Sequence, residues 1–251
     1  MSKAGWIRAF VLIAFFGTVE ALCRTGVISS KLVIAPSAMV KALIETVQSD
    51  DFGGHVTQTL SAVAIAMTLS IVGGFVIGAV LHWIPVLRRA FNPFLAAYYA
   101  IPHFAFYPLL IVIFGLGPAP LIVLATLFAM VAMIVATMAG LDRVPRVLLK
   151  TARIHRLSLV QEIWRIRLPA AAPHILSGLK LAVAYSFIGV IAGEFILSTS
   201  GIGHEIAYAY DNFDNPRMYA LILFVLAIVT TFNMLVWTWE RRLARRRGMA
   251  P

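Results

Sequence analysis

Apolar residues along this chain come in runs too long for the core of a small soluble domain. Val56 to Leu87, Ala90 to Leu141 and Met218 to Trp239 each lack Asp, Glu, Lys and Arg, and about 20 such residues cross the hydrocarbon of a bilayer. The middle run is too long for one crossing and is punctuated by Gly115 to Pro118, so it divides into two spans. Weaker stretches at Trp6 to Leu22 and Ile175 to Leu197 bring the total to six. The pattern predicts an all-α polytopic membrane protein with six transmembrane helices.

Finer periodicities lie on that frame. From Ser30 to Asp51, Pro36 stands where a helix starts, and Met39, Val40, Leu43, Ile44 and Val47 recur at three and four. This amphipathic segment lies along the outer membrane surface or packs on the spans. Gly74 and Gly78 form a GxxxG pair that lets helix backbones approach closely. Pro93, Pro102 and Pro108 predict a bent or broken third span, since each removes a backbone donor. On that span Tyr99, His103 and Tyr107 are four apart and share one helical face, which either lines a pathway or satisfies the kinked backbone.

Composition agrees: 61% hydrophobic and 13% charged residues, with a mean hydropathy of +0.89, lie far from soluble averages. Orientation follows from basic residues, which favour the cytoplasm. With the amino terminus inside, sixteen Lys and Arg fall on the cytoplasmic side and four (Arg24, Lys31, Lys41, Arg217) outside, so both termini are cytoplasmic. The net charge of +10 is therefore a topology signal with some attraction to anionic lipid, and does not point to nucleic acid. Lys3 and Arg8 ahead of an apolar stretch also fit a secretory leader, but no small-x-small cleavage site follows. The single cysteine, Cys23, excludes an internal disulfide and a Cys-based metal cluster.

Seven of the 21 Lys and Arg lie between Arg143 and Arg167, in the loop joining spans four and five. Val147, Leu148, Ala152 and Ile154 give a first short helix an apolar side, with Arg146, Lys150 and Arg153 on another face. Ser158 followed by Gln161 fits a capping box, so a second helix begins there, with Leu159, Val160, Ile163 and Trp164 on its buried face. The turn falls at Arg156 and Leu157. Pro169 is expected to end the second helix at Leu168. Glu194, near the end of the fifth span, is a carboxylate in or beside the membrane and a candidate for the pathway or for a structural contact.

The loop resembles the "EAA" loop of ABC-importer inner-membrane permeases. Thr151 and Ala152 stand in the motif's EAA, and Ile166, Leu168 and Pro169 stand where it has I-x-LP. Ser177 to Ala182, Glu194 and Ser200 to Gly203 extend the likeness to the nitrate, sulfonate and taurine type of permease. Two positions depart from the pattern: Lys150 replaces the motif glutamate, and Arg156 replaces its glycine.

The resemblance implies an organisation of 1–55 as first span and external segment, 56–240 as permease core with the coupling loop at 143–173, and 241–251 as a basic cytoplasmic tail. It implies a multi-pass subunit of the bacterial inner membrane that forms the path for a small, mostly anionic solute. The ATPase-coupling residues would be Lys150, Thr151, Ala152, His155, Arg156, Leu157 and Ser158. Partners would be a cytoplasmic ABC ATPase dimer, a second permease subunit (most simply a copy of this chain) and a periplasmic or extracellular binding protein. The chain contains no GxxxxGK[ST], so ATP and magnesium belong to the partner, no cofactor is expected here, and the chain is not itself an enzyme. The alternative is a secondary transporter, which needs ion-coordinating groups near the midplane, where these spans have almost none. No metal site is expected, since His103 has no second ligand at suitable spacing.

Overall fold

A computed structural model describes residues 3–29 and 33–246, and among these it is all helix and connection, without a strand. In order, the helices are α1 (Lys3–Arg24), α2 (Pro36–Val47), α3 (Phe52–Trp83), α4 (Pro85–Ala97), α5 (Tyr107–Phe114), α6 (Pro118–Asp142), α7 (Arg146–Ile154), α8 (Leu159–Glu162), α9 (Leu168–Leu197), α10 (Ile202–Asp211) and α11 (Asn215–Arg246). Among the described residues, α3, α6, the stretch Leu159–Leu197 and Asn215–Thr238 of α11 are long and apolar enough to cross a membrane. The pair Pro85–Ala100 and His103–Phe114, bent by 100°, makes a fifth crossing if counted as one. Lys31 and Arg247, both used in the orientation argument, lie outside the described residues, as does 247–251 of the tail.

The break expected from Pro93, Pro102 and Pro108 is present, and it lies between Ala100 and His103. Short 3-10 turns at Tyr98–Ala100 and His103–Phe106 flank Pro102. The corner before α4 is tighter than the pattern suggested: one residue, Ile84, separates α3 from α4, and Arg88 and Arg89 belong to α4 itself. Pro85 starts α4 because its fixed φ suits a first helical position and its missing donor costs nothing there.

The chain forms two compact units. The larger comprises Thr59–Gly193 and Thr231–Pro251. Its centre is α6, 61% of whose apolar window is buried. Glycines bring α3 and α9 against it. A Cβ on Gly74 would lie 2.7 Å from Met133 Cβ, and one on Gly78 2.7 Å from the Ile134 carbonyl, so the GxxxG pair is a packing surface. From α9, Gly178 meets Ala136 and Gly189 meets Ala125, while Gly140 of α6 meets the Ala171 backbone. Close approach of this kind supplies dispersion contact where the hydrophobic effect cannot.

The smaller unit comprises Met1–Gln58 and Glu194–Thr230. Ile202 and Ile206 of α10 pack with Leu221 of α11 and with Phe52 and Val56 of α3. Glu20 accepts from the Ser37 backbone N–H at 3.0 Å and from its hydroxyl at 2.6 Å, tying α1 to the first turn of α2. In α2 the buried positions are Ala42 and Thr46. Of the stripe read from sequence, Val40, Ile44 and Val47 stay exposed.

Candidate functional site

The segment between α6 and α9 is built by local rules. Pro145 precedes α7, and Ala152, 1% exposed, is the residue that seats this helix. Its end is a Schellman motif: the Leu157 N–H donates to the Ala152 carbonyl and the Arg156 N–H to the Arg153 carbonyl, both at 3.0 Å. The motif requires a left-handed residue, and Arg156 supplies it at φ 49°. A side chain is thus held where glycine is favoured, at a cost of about 1–2 kcal/mol.

Helix α8 begins on the expected capping box. The Gln161 N–H donates to Ser158 Oγ at 3.3 Å, and the Ser158 N–H to Gln161 Oε1 at 3.0 Å. Two expectations fail beyond it. Pro169 does not end the helix, because Ile163–Arg167 forms a π turn that passes directly into α9. A proline ring collides with the carbonyl four residues back. Here that carbonyl is Arg165's, which falls within the π turn, where the regular α register does not hold. Nor are Leu159, Val160 and Trp164 buried: all three are exposed, Trp164 at 69%, and only Ile163 is partly covered.

Both short helices therefore turn apolar side chains outward. Val147 and Ile154 of α7, the latter 78% exposed, join Leu159, Val160 and Trp164 as large uncovered hydrophobics. Arg146, Lys150, Thr151, Arg153, His155, Arg156 and Ser158 are exposed beside them, and Leu157 is half-buried. These two helices are tied to the residues behind them. Arg167 pairs with Glu162 at 2.6 Å and lies 4.6 Å over the Trp83 ring, while Leu141, Val144 and Ala171 pack together at the root of the loop. Of the exit motif, Ile166 and Leu168 are half-buried and Pro169 is exposed.

The other candidates separate. The break at Pro102 ends the helical register on which the shared face of Tyr99, His103 and Tyr107 depended, so Tyr99 is exposed while His103 and Tyr107 are buried. Tyr99 and His103 still meet around Phe128, at ring distances of 6.0 and 5.4 Å. Part of this polarity serves the backbone: Tyr98 donates to the Leu127 carbonyl at 2.7 Å. Among the described residues His103 Nε2 is buried without a partner.

Glu194, 2% exposed, accepts from the Gly203 N–H at 3.0 Å and so caps the start of α10. The same turn is held by His55 Nδ1, which accepts from the Gly201 N–H at 3.2 Å, and by Gln58, which donates to Ser200 Oγ at 2.6 Å. His55 Nε2 faces Glu205 at 3.4 Å, and Glu205 pairs with Arg217 at 2.6 Å. Sequence reading singled out Glu194 but missed His55, Gln58, Glu205 and Arg217 in this network, and also a cluster at the end of α6, where Asp142 is met by Arg88 and His82. A lone acid directly after an uncharged span was the available signal.

Apolar helices long enough to cross a membrane, centred on a glycine-packed α6 and joined by one elaborated polar connection with exposed apolar side chains, mark a polytopic membrane protein. The family of binding-protein-dependent transport system inner membrane components matches residues 70–248, and the chain belongs to it. It is the membrane permease subunit of an ATP-binding-cassette importer. Among its relatives, the putative aliphatic sulfonates transport permease protein SsuC of Bacillus subtilis is 26% identical over 98% of this chain and 90% of that one. The taurine transport system permease protein TauC of Escherichia coli is also 26% identical, over 77% of this chain and 70% of its own length. In fold the chain is similar to a chain of the inward-facing MetNI methionine ABC transporter. The match has a TM-score of 0.66 at 18% identity, covering 81% of this chain and all of that one.

Proposed function

We propose that this subunit carries a small anionic solute of the sulfonate or nitrate kind across the bacterial inner membrane and is driven by a separate cytoplasmic ATPase dimer. The observation that supports the ATPase contact is the exposure of Val147, Ile154, Leu159, Val160 and Trp164, on two helices capped at their junction and on the π turn that follows. A pre-ordered apolar surface loses little entropy on docking and gives its partner anchors to bury. Lys150, Thr151, Ala152, His155, Arg156, Leu157 and Ser158 form the coupling segment in this reading, Ala152 as the internal anchor. Ile166, Leu168 and Pro169 pass motion through the π turn into α9. The basic rim of Arg146, Lys150 and Arg153 matches a groove edged with acids.

The reading takes six crossings, with α1 first and the bent α4–α5 pair third, and both termini in the cytoplasm. The 22 residues of α1 run about 33 Å, enough to cross. The concentration of basic residues between α6 and α9 supports this orientation. Two copies of the chain enclose the pathway, a periplasmic binding protein delivers substrate, and the ATPase holds ATP and magnesium. The sulfonate and taurine transport relatives support the solute class. Transport in proteoliposomes with the cognate ATPase and binding protein tests the proposal. Import should stop when the ATPase is made unable to hydrolyse ATP, and import by this chain alone would overturn the reading.

A further inference from the structure

Asp142, the last residue of α6, stands directly before the connection to α7. Both its oxygens are engaged: Arg88 Nη1 donates to Oδ1 at 2.9 Å and Nη2 to Oδ2 at 2.6 Å, while His82 Nδ1 lies 2.9 Å from Oδ1. The two-point geometry fixes direction as well as distance. Three helix ends thus meet at one carboxylate: the last turn of α3, the first turn of α4 and the terminus of α6.

The arrangement matters because of what else holds α4. That helix has no buried residue. Its Leu87 and Leu95 are only partly covered, against the cluster of Leu81, Val131, Ile134 and Met138. Polar contacts tie its two ends to α6, Arg88 to Asp142 at the start and, just beyond the end, the Tyr98 hydroxyl to the Leu127 carbonyl. Past the second tie the chain turns through the 100° break into α5. Around Asp142 the neighbouring residues grip elsewhere: Leu141 and Val144 pack on Ala171, and Arg143 donates to His174 Nε2 at 3.2 Å. Asp142 therefore joins the root of the loop to the broken span.

We propose that Asp142 is a positioning residue through which displacement of the α7–α8 loop reaches α4 and changes the bend between α4 and α5. With the carboxylate gone, the loop still docks, but α4 no longer follows α6. The proposal rests on the ATPase-driven reading above.

Two measurements on Asp142→Asn test it. In the purified chain alone, amide hydrogen exchange over residues 85–97 should rise about tenfold while α6 and α9 stay protected. In proteoliposomes with the ATPase and binding protein, substrate moved per ATP should fall about tenfold while ATPase binding and hydrolysis persist. The reciprocal pair Arg88→Asp with Asp142→Arg should restore both quantities, since His82 can accept from the guanidinium so introduced. Unchanged exchange over 85–97, unchanged transport per ATP, or a reciprocal pair that restores protection without restoring transport would each overturn the proposal. An ATPase that fails to co-purify with the wild-type chain counts against the ATPase reading instead, and exchange over α4 still decides whether the tether exists.

Discussion

The carboxyl group of Glu194 fills the space that a side chain at Gly201 would need. A Cβ there would fall onto the carboxyl carbon and both oxygens, and Gly201 also holds φ at 98°, where residues with a Cβ are strained. The two residues form one joint, with the acid in the last turn of α9 and α10 beginning over it. Gly201→Ala should destabilise the protein by roughly 2–4 kcal/mol, the sum of backbone strain and overpacking. Thermal unfolding in detergent measures it. Glu194→Gln keeps an oxygen for the Gly203 N–H and should cost only about 1–2 kcal/mol with transport retained. Transport abolished in a well-folded Glu194→Gln chain would instead assign the acid to the pathway.

The Schellman turn of the loop makes a prediction of opposite sign. Arg156 adopts φ 49° with a Cβ, and nothing in the hydrogen bonding around it requires a side chain. Arg156→Gly should therefore stabilise the loop by about 1 kcal/mol, the usual relief at a left-handed helix terminus. Slower proteolysis between α7 and α8 would report it. Faster cleavage would mean that the guanidinium makes a contact worth more than the strain.

How far the sequence reached depended on the range of the interaction. The Ser158 box, the Arg156 turn and the break near Pro102 follow from neighbours within a few residues, and all were legible. The π turn was not. A proline rule applied at Leu168 assumes a regular register upstream, and the turn that departs from it holds Arg167, which pairs with Glu162 and stacks on Trp83 across 84 positions of sequence. Periodicity also identified the apolar side of α8 but not what covers it, so Trp164 was read as buried. The Arg88–Asp142 pair, 54 residues apart, needed the tertiary fold. Gly74 and Gly78 lie between these cases, since their spacing announced a contact and only the packing named α6 as the partner.

That contact is sensitive to volume. A Cβ on Gly78 would meet the Ile134 carbonyl at 2.7 Å and Thr137 Cβ at 2.8 Å, and backbone cannot move aside as a flexible side-chain end can. Gly78→Val should separate α3 from α6 and cost about 3 kcal/mol or more. The expected readout is a large loss of monodisperse protein after detergent extraction. Gly73→Ala, facing the mobile end of Met130 at 3.1 Å, should be tolerated within about 1 kcal/mol.

The last prediction concerns the basic rim of the loop. Lys150 is exposed on α7 at the position where the family motif carries an acid, so its charge is available to a docking partner. If the cognate ATPase presents an acid opposite, Lys150→Glu should weaken its association about tenfold at low salt, with the defect shrinking as salt rises, because a rim charge acts mainly through screened attraction. Ile154→Asp, which replaces an exposed apolar side chain with a charge, should weaken it about a hundredfold at any ionic strength. The contrast separates the two roles: a salt-insensitive loss at Lys150 would put that residue inside the contact, and no loss would remove its charge from the interface. Titration of the ATPase onto the detergent-purified permease at two salt concentrations distinguishes these outcomes.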